Sequence, residues 1–175
     1  MFPDAENLPM RAYQHVLFAT DLSEADTPAA LRAAELARKF RAQLTLLHVI
    51  GDFPENVPND PVAPENVDPA TFLSARARRA LARLASLIGK ARTPRKVVFS
   101  TRSPKHVIVD VAREVEADLI VLGASGHHLM PNVLSTTSVV LNDAGCDVML
   151  IRTQRPGTTL HEALAPQRGK QVARA

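Results

Sequence analysis

Five short aliphatic runs, separated by stretches of helical spacing, constrain this chain more than any other feature of it. His15 to Thr20 is apolar and partly β-branched and stops at Asp21, while Leu44 to Ile50 stops at Gly51. Arg95 to Thr101 centres on Val97, Val98 and Phe99, Asp118 to Leu122 stops at Gly123, and Asp147 to Ile151 stops at Arg152. Runs of this length without polar alternation suit strands buried on both faces. Between the first two, Leu31, Ala34, Leu36, Ala37 and Phe40 recur at helical spacing. Thr27-Pro28 ahead of them predicts a helix capped by Thr27, with Pro28 in the first position. Asp68-Pro69 opens a second helix, whose stripe of Leu73, Ala77, Ala80, Leu81, Leu84 and Ile88 is closed by Gly89. Ser103-Pro104 opens a third that turns Val107, Ile108, Val111, Ala112 and Val115 inward, and a fourth is predicted from about Val133 to Ala144.

Strand and helix in alternation predict an α/β fold, a five-stranded parallel sheet with helices on both faces and right-handed crossovers. In such sheets a ligand sits beyond the carboxyl ends of the strands, where the strand order reverses. The corners that matter are therefore Ala19 to Asp21, Val49 to Gly51 and Gly123 to Gly126.

A chain of 175 residues has room for one core. Aromatics make up 4% and Trp is absent, so the packing falls to Val, Leu, Ile and Ala. Residues 1–12 read as an N-terminal arm and 13–152 as the domain. Within the domain, 51–70 reads as a surface loop broken by Pro54, Pro58, Pro61, Pro64 and Pro69, and the basic stretch 153–175 reads as a disordered tail. The opening residues resemble neither a secretory signal nor a mitochondrial presequence, and no apolar run reaches the roughly 18 residues of a membrane span. Cys146 stands alone, which leaves no intrachain disulfide, and a cytoplasmic location is expected.

Gly123-Ala124-Ser125-Gly126 stands between a predicted strand and a predicted helix, where small residues let backbone amides approach an anion. A G-x-x-G alone also describes an ordinary tight turn. Its weight comes from Asp21 at another strand end and from the hydroxyl cluster Ser135-Thr136-Thr137-Ser138 further on.

Three segments resemble the universal stress protein family, in order and spacing, across residues 13–152. They are His15-Val16-Leu17-Phe18-Ala19-Thr20-Asp21-Leu22-Ser23, Leu46-Leu47-His48-Val49 and Ala117-Asp118-Leu119-Ile120-Val121-Leu122-Gly123. The resemblance implies a Rossmann-like sheet of order 3-2-1-4-5, akin to that of the adenine nucleotide alpha hydrolases, which reverses between Asp21 and Gly123. It also implies a stress-response regulatory module holding an adenine nucleotide, ATP with Mg. Asp21 would meet the ribose or adenine beside Ala19 and Thr20, and Val49 would line the adenine pocket through its backbone. Gly123, Gly126, Thr136, Thr137 and Ser138 would surround the phosphates.

Nucleotide-binding members carry G-x-x-G, nine residues, then G-[ST], and here Thr136 stands where the third glycine is expected. If that position needs a left-handed backbone, threonine costs about 1–2 kcal/mol there, or about 5- to 30-fold in affinity. One branch of the family lacks the full glycine pattern and is thought not to bind ATP, and Gly126-His127-His128 resembles that branch. The alternative is therefore a nucleotide-free interaction protein. A homodimer through the last strand, Asp147 to Ile151, is implied in either case, and such an edge needs cover.

The sequence contains no G-x-x-x-x-G-K-[ST], no G-x-S-x-G and no H-E-x-x-H, so it reads as a binding module, at most a slow ATPase. His127-His128 has no partner at ligand spacing, and no metal site is expected. His48 reads as a satisfied core histidine and Cys146 as packing. Between Pro69 and Val109 there are ten Lys or Arg and no Asp or Glu. Within that stretch Arg76, Arg79 and Arg83, with Arg78 nearby, stripe one helical face. The plain reading is a solvated face. The other is a basic adaptor surface for nucleic acid or anionic lipid, though without interleaved aromatics single-stranded nucleic acid is not expected.

Overall fold

A computed structural model describes residues 12–51, 68–90, 92–125 and 136–153. Residues 1–11 of the N-terminal arm, most of the Pro-rich loop, Gly126, the His127-His128 pair, the start of the predicted fourth helix and residues 154–175 of the C-terminal tail lie outside these residues. Five strands form one parallel sheet: β1 (His15–Ala19), β2 (Gln43–Ile50), β3 (Arg95–Phe99), β4 (Leu119–Ser125) and β5 (Asp147–Thr153). The helices between them are α1 (Thr27–Phe40), α2 (Pro69–Leu87), α3 (Pro104–Glu114) and α4 (Thr136–Asp143). The sheet order is β3-β2-β1-β4-β5, so the chain doubles back between β1 and β4.

β1 is the centre of the molecule. Phe18 lies opposite Leu46 of β2 on one side and Val121 of β4 on the other. Alternate β1 residues point to opposite faces, which is why every position from Val16 to Ala19 is buried. Val16 and Phe18 join the core under α1 and α2. Leu17 and Ala19 join the second core under α3 and α4. The two layers of helices are the physical reason that the strands read as continuous apolar runs.

Local signals set the helix starts. The Asp68 carboxylate accepts the Thr71 N–H at 2.8 Å, capping α2, and Gly89 closes its far end at φ 68°. α1 departs from expectation at both its cap and its face. A single 3-10 turn, Glu24–Asp26, precedes it, so Asp26 is the cap residue and Thr27 is already helical. Its buried face is Ala29, Ala30, Ala33, Ala34 and Ala37, whereas Leu31 is 49% exposed. Alanines let a helix lie close over the sheet, and the larger leucine is displaced to the solvent side.

Strand ends shift as well. β3 stops at Phe99 rather than Thr101, and β4 continues through Gly123, which pairs with Ile151, to Ser125. β5 runs on to Thr153 to match it. Gly123 is therefore a strand residue and not the first residue of a turn. At the amino rim of the sheet the Asp118 carboxylate accepts the backbone N–H groups of Gln14 (2.7 Å) and His15 (3.0 Å). Tyr13 adds a 2.8 Å bond to Asp147. The amino ends are thus fastened by side chains, while the carboxyl ends surround open space.

Among the described residues no helix is long and apolar enough to cross a membrane. Arg76, Arg78, Arg79 and Arg83 are all exposed on α2. Cys146 packs against the second core, and burial pushes its thiol above the ordinary range, so it is held protonated.

Candidate functional site

A cavity of about 540 Å³ opens at the carboxyl ends of the strands where the order reverses. β1 and its following loop supply Ala19, Thr20 and Asp21, and β2 supplies Leu47, His48 and Val49. β4 gives Leu122 and Gly123, α3 gives Pro104 and Ile108, and α4 presents Thr136 and Thr137. The sequence reading thus finds its corners together: Ala19, Thr20, Asp21, Val49, Gly123, Thr136 and Thr137 share one cavity. Ser138 is half-buried on α4 and is not among the lining residues, and Gly126 lies outside the described residues. Thr136 is helical and is not one of the residues with positive φ. The left-handed strain feared for a threonine at this position is therefore absent.

The β1–α1 corner is built from a side-chain network that the sequence reading did not find. The Thr20 hydroxyl donates to Asp26 Oδ2 at 2.8 Å and accepts the Leu22 N–H at 2.9 Å. Asp26 Oδ2 also accepts the Asp21 N–H at 3.1 Å, and Asp21 Oδ1 accepts the Ser23 N–H at 2.7 Å. His48 Nδ1 lies 2.8 Å from the Thr20 carbonyl oxygen. A carbonyl only accepts, so Nδ1 carries the proton in this bond. These contacts hold Leu22 at φ 65°, a left-handed conformation that leucine rarely adopts. His48 is accordingly satisfied, as expected, but at the cavity wall and not within the core.

Asp26 is 8% exposed and shares the cavity with Asp21. Burial pushes its carboxyl up to about 6, and the neighbouring Asp21 charge acts in the same direction. The hydrogen bonds from Thr20 and the Asp21 N–H pull it down, without cancelling the burial. The available signal for Asp26 was its place just ahead of the helical Thr27-Pro28, where a capping carboxylate belongs. Its side chain turns instead toward Thr20, and no side-chain cap bond is made. Among the described residues no group of three or more His, Cys, Asp or Glu is arranged to hold a metal ion.

This fold and cavity define a doubly wound α/β protein with a ligand-sized crevice at its topological switch point. The profile of the Universal stress protein family matches residues 12–152. Universal stress protein A homolog 1 of Coxiella burnetii is 34% identical over 140 residues, which span 79% of this chain and 96% of that protein. The universal stress protein UspA from Lactobacillus plantarum superposes with a TM-score of 0.58 at 31% identity, over 81% of this chain and 99% of that one. A universal stress protein in complex with cAMP shares the fold, with a TM-score of 0.57 at 23% identity over 81% of this chain and 98% of that one. The chain belongs to the universal stress protein family.

Proposed function

We propose that this protein is a cytoplasmic stress-response module that holds an adenine nucleotide in the crevice without turning it over, and that two copies pair through β5. The observation that carries the reading is the cavity at the β1/β4 reversal, lined by Thr20, Asp21, Val49, Gly123 and Thr137. A family relative in complex with cAMP lends support through the shared fold. Binding without catalysis is favoured because the groups that could serve as bases are engaged in holding the corner. Asp26 is tied to Thr20 and Asp21, Asp21 to Ser23, and His48 to the Thr20 carbonyl. In this reading residues 13–152 form the domain, and ATP with Mg is one candidate occupant. Dimerisation is supported by β5 lying at the sheet edge with half-buried Val148, Met149, Leu150 and Ile151.

A second reading, a nucleotide-free dimer, is favoured by Thr136 standing where nucleotide-binding members place glycine. Thermal denaturation with adenosine, cAMP and ATP separates the two. A ligand present at 100 times its Kd should stabilise the folded state by about 2.7 kcal/mol. No rise in melting temperature with any of the three at millimolar concentration would leave only the nucleotide-free reading. For the dimer, native mass spectrometry should give twice the chain mass, and a monomer at micromolar concentration would remove β5 pairing.

A further inference from the structure

The described lining of the crevice is acidic. It contains two carboxylates, Asp21 and Asp26, and neither Lys nor Arg. A site made for a free polyphosphate ordinarily opposes the ligand's charge with cations. We propose that this crevice selects adenine ligands by charge and that Asp26 sets the selection, its ionised carboxylate favouring a neutral or singly charged ligand over a polyphosphate. The inference rests on the adenine-binding reading above and names the ligand class of that site.

Asp26 is suited to this role by position. Its carboxylate is buried at the cavity wall beside the corner that carries Asp21, and its hydrogen-bond donors, the Thr20 hydroxyl and the Asp21 N–H, are neutral. Nothing in that pairing neutralises the charge. In a poorly solvated site a uncompensated charge acts further than it would in water. The titratable groups that share the cavity with it are Asp21 on the same corner and His48 from β2. From β4, α3 and α4 the cavity receives Leu122, Gly123, Pro104, Ile108, Thr136 and Thr137, none of them titratable in the working range. Because burial raises the Asp26 carboxyl to about 6, the selecting charge is present at pH 8 and absent at pH 5.

The test is isothermal titration of the full chain, in low salt without magnesium, with adenosine, cAMP and ATP at pH 8 and pH 5. At pH 8 the wild type should bind adenosine more tightly than ATP. Asp26→Asn keeps an oxygen for Thr20 and the Asp21 N–H while removing the charge. It should tighten cAMP by about threefold and ATP by about tenfold or more, and leave adenosine unchanged. At pH 5 the difference between wild type and variant for cAMP should close. The single charge of cAMP does not titrate across this range, so a change there belongs to the protein. A pH response of cAMP binding as large in Asp26→Asn as in the wild type would overturn the assignment of the selection to Asp26.

Equal changes for adenosine and ATP in the variant, or none, would overturn the charge selection while leaving adenine binding intact. Absence of binding by all three ligands would overturn both. Should the variant fail to fold, the wild-type affinity of cAMP relative to adenosine still decides, because a ratio that stays constant between pH 8 and pH 5 defeats the proposal.

Discussion

Phe18→Ala should lower the melting temperature by about 10–15 °C while leaving ligand affinity in the crevice unchanged well below the new midpoint. Phe18 is fully buried at the middle of the central strand, between Leu46 and Val121, under the alanine face of α1. Removing a buried phenylalanine side chain costs about 3–5 kcal/mol when the surroundings cannot collapse into the space. Collapse is hindered here because the neighbouring α1 residues are Ala29, Ala30, Ala33 and Ala34, which have no longer side chain to swing inward. That loss is a large part of the roughly 5–15 kcal/mol that holds an ordinary domain together. The crevice escapes because its apolar wall comes from the other face of the sheet, through Ala19, Leu47, Ile108 and Leu122. Paired measurements of urea midpoint and adenosine affinity check the claim. An affinity that falls with the midpoint would mean that the two cores are not separable.

The division between faces also explains what could be read in advance. Buried parallel strands announce themselves as aliphatic runs, and five such runs alternating with helices leave little freedom in architecture. Sheet order came from the family resemblance, and the structure agrees with it. Less legible was whatever depends on small residues or on distant partners. Leu31 attracts a reader looking for bulk, yet α1 is seated by alanines, which periodicity weighs lightly. Gly123 looks like a strand terminator in isolation, but pairing with Ile151 carries β4 two residues past it. Asp26 illustrates the limit most clearly. Its capping position is local information, whereas its bond to Thr20 depends on how the chain folds back after β1, which no spacing rule encodes. The cavity-lining residues Asp21, Val49 and Gly123 were found because the apolar runs end at them, where topology directs attention, whereas Thr137 on α4 came from the hydroxyl cluster and the family resemblance.

Thr20→Val should destabilise the protein by about 2–4 kcal/mol at pH 8 and weaken adenosine binding by about tenfold or more, although the two side chains have nearly the same shape. The hydroxyl is buried and serves twice, donating to Asp26 and accepting from the Leu22 N–H. Valine leaves a buried carboxylate short of a donor, and it releases the amide that holds Leu22 at φ 65°. An unmet buried group costs about 1–3 kcal/mol, and more when it is charged. Once the amide is released, the hold on Leu22 at its left-handed angles weakens, and the corner bearing Asp21 shifts as Leu22 relaxes toward ordinary backbone angles.

The loss should depend on pH in a definite direction. The Asp26 carboxyl sits at about 6 in the folded protein against an ordinary 3.8, so its contribution is most favourable below the unfolded value and is lost as pH rises through about 6. Without the Thr20 donor the carboxyl rises further, which enlarges the penalty at pH 8 and adds nothing near pH 4, where the group is already protonated in the folded form of both proteins. The difference in unfolding free energy between wild type and Thr20→Val should therefore shrink from pH 8 to pH 4, and shrink likewise when both carry Asp26→Asn. Equal differences at the two pH values would show that the hydroxyl acts through Leu22 alone and that the Thr20–Asp26 bond carries no stability of its own.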